Sequence, residues 1–308
     1  MTARLPSISL VTPSLNQAAF VRATLESVLE QDYPGLDLFV QDGGSTDGTL
    51  AILEEFGARV PFVSAPDSGQ AQAINRGLRR ARGEVLGYLN SDDVLLPGAL
   101  RAVGEAFAAN PELRLVYGRA IYIDQTGRTL APYLTYPYDP ARLADLCYIA
   151  QPAAFWSRKV LEEVGEFDES LSHTMDYDYW LRIAARYRPE QVMYLDRELA
   201  AARLHPDAKT VAGWDRGLDE ILQLVKRRTG YVSLWWLVAR WDHKLDGRSQ
   251  VMEPHPVRWR VYPPAILQFI ASNPPRLWAR GLKGALRGLG KRLSIMEKQD
   301  LTPKIDPR

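Results

Sequence analysis

Between residues 7 and 93 the chain alternates short apolar runs with helix-period segments, and that alternation leaves few folds open. Residues 7–11 read as a strand, and residues 18–31 as a helix whose apolar face carries Phe20, Val21, Leu25, Val28 and Leu29. Residues 36–40 form the next strand, followed by the turn 42–48 and a helix with Leu50, Ile52, Leu53 and Phe56. A third strand at 60–63 leads to a helix over 70–82 that Gly83 would stop in the left-handed conformation. Repeated strand–helix–strand units of this size imply a parallel sheet with helices on both faces. A fourth apolar run, from Val85 to Leu89, ends abruptly in Asn90, Ser91, Asp92 and Asp93. Open α/β sheets bind ligands at the carboxyl ends of their strands, so these carboxylates stand where chemistry is done. The alternative is that Ser91 or Asp93 caps the following helix.

Composition narrows the classes. With 46% hydrophobic and 24% charged residues, the 308-residue chain has the makeup of a globular protein rather than a disordered one. A formal net charge of +1 gives no reason to expect a nucleic-acid partner. Cys147, the single cysteine, rules out an internal disulfide or a cysteine metal cluster and fits a reducing compartment. The first residues lack the apolar core of a secretory signal, and no apolar run reaches the ~18–20 residues of a membrane span. A cytoplasmic protein, soluble or peripheral on the inner face of the membrane, is expected.

The turn Asp42-Gly-Gly-Ser-Thr-Asp47-Gly48 sits between a strand and a helix, as a phosphate loop would. It lacks the spacing of a dinucleotide fingerprint and the lysine of a Walker loop, which disfavours NAD binding and ATP hydrolysis. A strand-end carboxylate such as Asp42 can accept hydrogen bonds from a base or ribose while Gly43 and Gly44 admit the ligand close to the backbone. Asp47 reads as a helix cap.

The stretches LVTPSLNQ, VQDGGSTDGT, DSGQAQAINRGLRRARGEVLGYLNSDD, QPAAFW and MDYDYWLR, in that order between Ser7 and about His205, resemble the family 2 glycosyltransferases of the GT-A fold. The resemblance implies a nucleotide-binding α/β/α sandwich with a mixed sheet, a nucleotide-sugar donor, a divalent cation (Mn2+ or Mg2+) and an inverting transfer. It places Thr12, Pro13 and Ser14 against the nucleoside, Asp42 on the base, and Asp67 and Asn75 around the nucleotide pocket. Asn75 has the alternative of tying helix to loop. The segment Asn90-Ser91-Asp92-Asp93 is similar to the family's DXD-type metal motif, with Asn90 in place of the first acid, Asp92 as principal ligand and Asp93 in reserve. Asn90 and Ser91 then border the nucleotide. A hard cation there would neutralise the diphosphate leaving group.

Residues 116–133 flank the turn Asp124-Gln-Thr-Gly127 and read as a hairpin added to the sheet. Phe155 and Trp156 follow Gln151-Pro152 and read first as core packing, with a sugar face as the alternative. Asp176 opens a helix whose buried stripe is read as Tyr177, Trp180, Leu181, Ala184 and Ala185. By residue type alone it is a capping carboxylate. The resemblance makes it the catalytic base, with Met175 replacing the usual preceding Glu and Asp178 in reserve. The resemblance also implies that His205 joins the metal site and that Arg203 and Lys209 contact the diphosphate.

Residues 1–208 therefore read as the catalytic domain, with a nucleotide-sugar half to about 115 and an acceptor half beyond, and residues 209–308 as a helical extension. Within the extension, residues 275–295 combine an apolar face (Trp278, Leu282, Leu286, Leu289, Leu293) with six basic residues. That pattern fits an anionic membrane surface, where lipid-linked glycan acceptors reside; packing on the domain or on a second subunit of a homo-oligomer is the equal alternative. A UDP-sugar is the first donor expected, dTDP- and GDP-sugars the next, with a glycan or lipid-linked acceptor in cell-surface polysaccharide synthesis. Two other readings stay open: a nucleotide-sugar binder without turnover, and a nucleotidyltransferase, which would need a basic phosphate loop that the N-terminal region lacks.

Overall fold

A computed structural model describes residues 4–247 and 259–279. The chain runs β1 (Ile8–Ser14), α1 (Val21–Leu29), β2 (Leu36–Asp42), α2 (Thr49–Phe56), β3 (Phe62–Ser64), α3 (Gln70–Leu78) and β4 (Val85–Tyr88). It continues with β5 (Val94–Leu95), α4 (Ala99–Ala109), β6 (Leu115–Ile123), β7 (Thr129–Pro132), α5 (Pro140–Leu143) and β8 (Ala154–Ser157). The last elements are α6 (Arg158–Val164), α7 (Met175–Arg186), β9 (Val192–Arg203), α8 (Lys209–Ala212), α9 (Trp214–Thr229), α10 (Leu234–Asp246) and α11 (Tyr262–Ser272).

Nine strands form one mixed sheet in the order β3-β2-β1-β4-β8-β6-β9-β5, with β7 paired to β6. Strands β1 to β4 are mutually parallel, as the alternating pattern requires. Beyond β4 the sheet turns mixed: β8 is antiparallel to β4 and β6, whereas β9 is parallel to β6 and antiparallel to β5. The expected hairpin is β6–β7, with Gly127 at φ +90° in its turn. All seven residues of β1 are buried, and Ile8, Leu10 and Val11 put apolar side chains on both of its faces, as befits a central strand.

Two sequence expectations need correction. The third helix ends at Leu78, and Gly83 is not left-handed. A Cβ on Gly83 would collide with the backbone of Ile8 and Ser9, and its N–H donates to Ser9 Oγ at 2.7 Å, so close approach to β1 is what demands glycine there. On α7 the buried positions are Met175, Tyr177, Asp178, Tyr179, Trp180, Leu181 and Ile183, while Ala185 is exposed. The helix is covered on more than one side, so no single stripe describes it. Its core side is an aromatic cluster in which Trp156 meets Tyr179 at 5.4 Å and Trp180 at 6.0 Å, and Phe167 stacks on Tyr179 at 4.3 Å. Rings of this kind each remove about 150–250 Å2 from water. That burial fixes α7, and with it Asp176, against the sheet; Phe155 and Trp156 are core residues.

The chain divides into two compact units. The first comprises Met1–Leu143 and Cys147–Glu220, and so carries past residue 208 to include α8 and the start of α9. The second comprises Ala144–Leu146 and the residues from Ile221 onward. Its described core gathers Tyr231, Leu234, Leu237, Val261, Ala265 and Phe269. Among the described residues no helix is long and apolar enough to cross a membrane. Of the basic stretch 275–295, residues 280–295 lie outside the described residues.

Candidate active site

Strand order reverses between β1 and β4, since β2 and β3 lie to one side and later strands to the other. Loops leaving the carboxyl ends of these two strands diverge there and open a crevice. Thr12, Pro13 and Ser14 close β1 at its edge. The hydroxyls of Thr12 and Ser14 are buried without a hydrogen-bond partner in the structure. The loop after β1 is tied to the glycine-rich turn: Asn16, at φ +53°, accepts from Thr46 N–H at 2.9 Å, and its own N–H donates to Ser45 Oγ at 2.7 Å. Asp47, one residue before the N-cap Gly48, accepts from Thr49 N–H at 3.0 Å at the start of α2.

Asp42 does not face the crevice. It is 0% exposed and accepts from Gly44 N–H and Ser45 N–H at 2.9 Å each, from Ser64 Oγ at 2.6 Å and from Ser45 Oγ. The expected base contact is thus corrected: a carboxylate that accepts from two backbone amides and two serine hydroxyls is spent on shaping that turn. The half-buried Asp67 takes the forward position, packing over Gly43, where a Cβ would come within 2.9 Å of Asp67 Oδ2. Asn75 is also corrected. It is 1% exposed and commits its amide to Phe167 N–H (3.0 Å), Phe167 C=O (2.9 Å) and Glu169 (3.0 Å), the helix-to-loop tie that was its alternative.

The loop after β4 holds the densest polar network. Asn90 accepts from Gln70 Nε2 at 2.6 Å and donates to Asp93 Oδ2 and Gln151 Oε1 at 3.2 Å each. Gln151 in turn donates to Tyr88 C=O at 2.8 Å. Ser91 and Asp93 are buried, and Asp93 accepts from Arg203 N–H at 2.9 Å. Burial, with Asp92 beside it, pushes the Asp93 carboxyl well above the usual carboxylate range. Asp92 is half-buried, and its Oδ2 lies 3.1 Å from His205 Nε2, whose ring packs on Phe20 at 4.8 Å.

Asp92 and His205 fit a divalent cation. Asp92 Oδ2 and His205 Nε2 stand within hydrogen-bonding distance of each other at 3.1 Å, and a carboxylate oxygen with an imidazole nitrogen is a donor set that would suit Mn2+. Among the described residues no group of three or more His, Cys, Asp and Glu holds a metal alone. Such a cation would therefore take its remaining ligands from substrate and water, as phosphate-bound ions do. Arg203 is not free to reach a diphosphate with Nε and Nη1: they donate to the carbonyls of Asp92 (2.8 Å) and of Asp124 and Gln125 (2.9 and 3.2 Å). It braces the two loops instead, buried under Phe20, and burial lowers its pKa.

Asp176 stands half-buried at the first turn of α7 and accepts from Tyr177 N–H at 2.7 Å. Burial lifts its pKa to about 6, with Glu220 adding to the rise and Lys209 opposing it. Glu220 clamps the preceding loop by accepting from Ser172 N–H and His173 N–H at 2.7 Å each. Lys209 donates to Ser172 C=O at 3.0 Å. Partial desolvation lowers the Lys209 pKa against the pull of Glu220, Asp176 and Asp67, so Asp67 and Asp176 both lie within electrostatic reach of its ammonium. Asp178 is excluded as a base in reserve, because it is 0% exposed and held by Arg182 Nε at 2.8 Å.

Several neighbours went unread in the sequence. Gln70 and Gln151 lie inside quoted stretches, yet nothing in their type marks them as partners of Asn90. Tyr122, Tyr133 and Cys147 are half-buried. After burial, the largest influence raising the Cys147 pKa is Asp176, and Tyr133 feels Tyr122, Cys147 and Asp176 in turn. The β6–β7 register brings Tyr122 and Tyr133 together.

The family model of glycosyl transferase family 2 matches residues 9–165. Chondroitin synthase of Escherichia coli is 30% identical over 184 residues, 59% of this chain and 27% of that protein. The O-antigen biosynthesis protein RfbC of Myxococcus xanthus is 32% identical over 268 residues, 84% of this chain and 20% of that protein. The chain thus spans only about a quarter or less of these relatives' lengths. Among solved structures, residues 1–349 of S. aureus TarS in complex with UDP-GlcNAc superpose with a TM-score of 0.61 at 16% identity, covering 88% of this chain and 82% of that one. The mannosyltransferase PcManGT of Pyrobaculum calidifontis, in complex with GDP-Man and Mn2+, gives 0.57 at 19% identity, covering 93% and 81%. The expected GT-A architecture is the one observed. With its family model spanning the switch-point crevice and the loop of Asp92, this chain belongs to glycosyl transferase family 2.

Proposed function

We propose that the chain moves a sugar from a nucleotide-diphosphate donor, a UDP-sugar first, to a hydroxyl of a glycan or lipid-linked acceptor, with inversion at the anomeric carbon. The observation that supports this reading is the pairing of Asp92 with His205, 3.1 Å apart, on the loops that follow β4 and β9. Thr12, Ser14 and Asp67 border the nucleoside, with the unpartnered hydroxyls of Thr12 and Ser14 as donors for it. Asp92 and His205 would hold a divalent cation, whose charge would offset that of the departing diphosphate. Asp176 acts as base: its carboxylate takes the proton of the acceptor hydroxyl while that oxygen bonds to the anomeric carbon and the bond to the diphosphate oxygen breaks. A pKa of about 6 suits this task, since the group is ionised at neutral pH yet basic enough to accept a proton. Asn90, Gln70 and Gln151 keep the loop of Asp92 in one conformation. TarS, crystallised with UDP-GlcNAc, supports a uridine donor, and PcManGT, crystallised with GDP-Man and Mn2+, supports the cation.

Calorimetric titration with UDP, dTDP and GDP, each with Mn2+, Mg2+ or chelator, tests the donor half. The expected result is cation-dependent binding that prefers one nucleotide and is lost in Asp92→Ala. Absence of binding by all three would leave the family assignment in place and remove the donor site.

A further inference from the structure

The acceptor side of the crevice carries a feature that the transfer chemistry does not use. Tyr122, near the end of β6, and Tyr133, just past β7, stack with ring centroids 4.8 Å apart and planes inclined by 27°. Register explains the pairing: Tyr122 lies opposite Ala131, so Tyr133 is its diagonal neighbour on the same face of the hairpin. The backbone of Tyr133 is fixed by its N–H, which donates to Ala120 C=O at 2.9 Å. Two residues after Tyr122, the Asp124 carbonyl accepts from the same Arg203 guanidinium that holds the Asp92 carbonyl. The tyrosine pair is therefore anchored to the loop bearing the cation site. Both rings are only half-buried, in contrast to Tyr117 on the same strand, which is fully buried. Their hydroxyls are nevertheless strongly desolvated, and Tyr133 lies within electrostatic reach of Asp176 and Tyr122 within that of Asp93. Tyr122 also lies opposite Ala202 of β9, three residues before His205, so the half-buried stacked pair offers part of a flat apolar face beside that loop.

Building on the proposed transfer, we infer that Tyr122 and Tyr133 form the platform on which the acceptor's sugar ring rests, so that the acceptor is a pyranoside rather than an open-chain polyol or a peptide hydroxyl. A pyranose offers a face of axial C–H bonds to an aromatic ring and a rim of hydroxyls to phenolic oxygens. An open-chain polyol has no such face. Tyr133 sets which ring is accepted, and Asp176 takes the proton from the hydroxyl that the platform turns toward it.

Saturation-transfer NMR tests this on the full chain, irradiating aromatic protons and observing the methyl β-pyranosides of glucose, galactose and N-acetylglucosamine, with ribitol as the open-chain control. Ring C–H protons of at least one pyranoside are expected to receive saturation and ribitol none. Tyr133→Phe keeps the ring and is expected to keep the signal. Tyr133→Leu, which retains apolar bulk without a flat face, is expected to weaken binding about threefold to tenfold. Nucleotide titration of the same variants checks that they are folded, and stays unchanged. Equal signals from ribitol, no pyranoside signal in the parent, or equal binding by the Leu and Phe variants would overturn the platform. Loss of nucleotide binding in the parent with the pyranoside signal intact would instead sink the donor reading and leave the platform standing.

Discussion

Asp176 is held near pKa 6 by burial, and the sign of that shift makes two measurable claims. As the base it works ionised, so kcat/KM is expected to rise with pH through about 6 and then level, and Asp176→Asn to lose about 10²–10⁴-fold with no inflection there. For stability the direction is reversed. The folded carboxyl binds its proton more tightly than the unfolded one, so this group favours folding at pH below the unfolded value near 3.8 and that contribution is lost as pH rises through about 6. Asp176→Asn removes the cost of burying the charge and is expected to raise Tm at pH 7 more than at pH 4, read by thermal melts at the two values. Asp92→Ala is expected to abolish the difference in nucleotide affinity between Mn2+ and chelator, read by calorimetry, because His205 alone holds a cation weakly. The positions of Asp92 and His205, just after β4 and β9, and of Asp176, in the first turn of α7, were legible because element ends carry local signals. Asp42, Asn75, Arg203 and Asp178 were not, since residue type cannot tell whether a polar group spends its hydrogen bonds on a ligand or on its own fold.

At the scale of elements, the crevice depends on ties between segments far apart in sequence. Asn75 on α3 holds both backbone groups of Phe167, and Asn75→Ala would leave them buried and unpaired. A loss of about 1–3 kcal/mol is expected, seen in chemical denaturation, with nucleotide affinity nearly unchanged in the folded variant. Gly83→Ala is expected to cost about 1–3 kcal/mol by driving a methyl into the β1 backbone. The parallel strands β1 to β4 and their helices were readable because their periodicities are local. The helix stop assigned to Gly83 failed for the opposite reason: its neighbour is 74 residues away. The insertion of β8 beside β4 and of β9 between β6 and β5 leaves no local trace either, since strand order is a matter of which edges are free.

For the whole molecule, a ligand that binds only the folded chain stabilises it by mass action, about 2.7 kcal/mol at a hundredfold excess over Kd. The preferred nucleoside diphosphate with Mn2+ is expected to raise Tm by several degrees in the parent and not in Asp92→Ala, read by differential scanning calorimetry. The distribution of the site along the chain sets a schedule as well as a geometry. Asp92 and Asp93 leave the ribosome with the first half of the sheet, yet their partners Arg203 and His205 come more than a hundred residues later, and β5 has no pairing partner before β9. At about 5–20 residues per second that interval lasts some 5–20 s. During it a nascent chain holds the acidic loop without its histidine or its arginine brace, so the proposed cation site cannot close on a chain interrupted before β9.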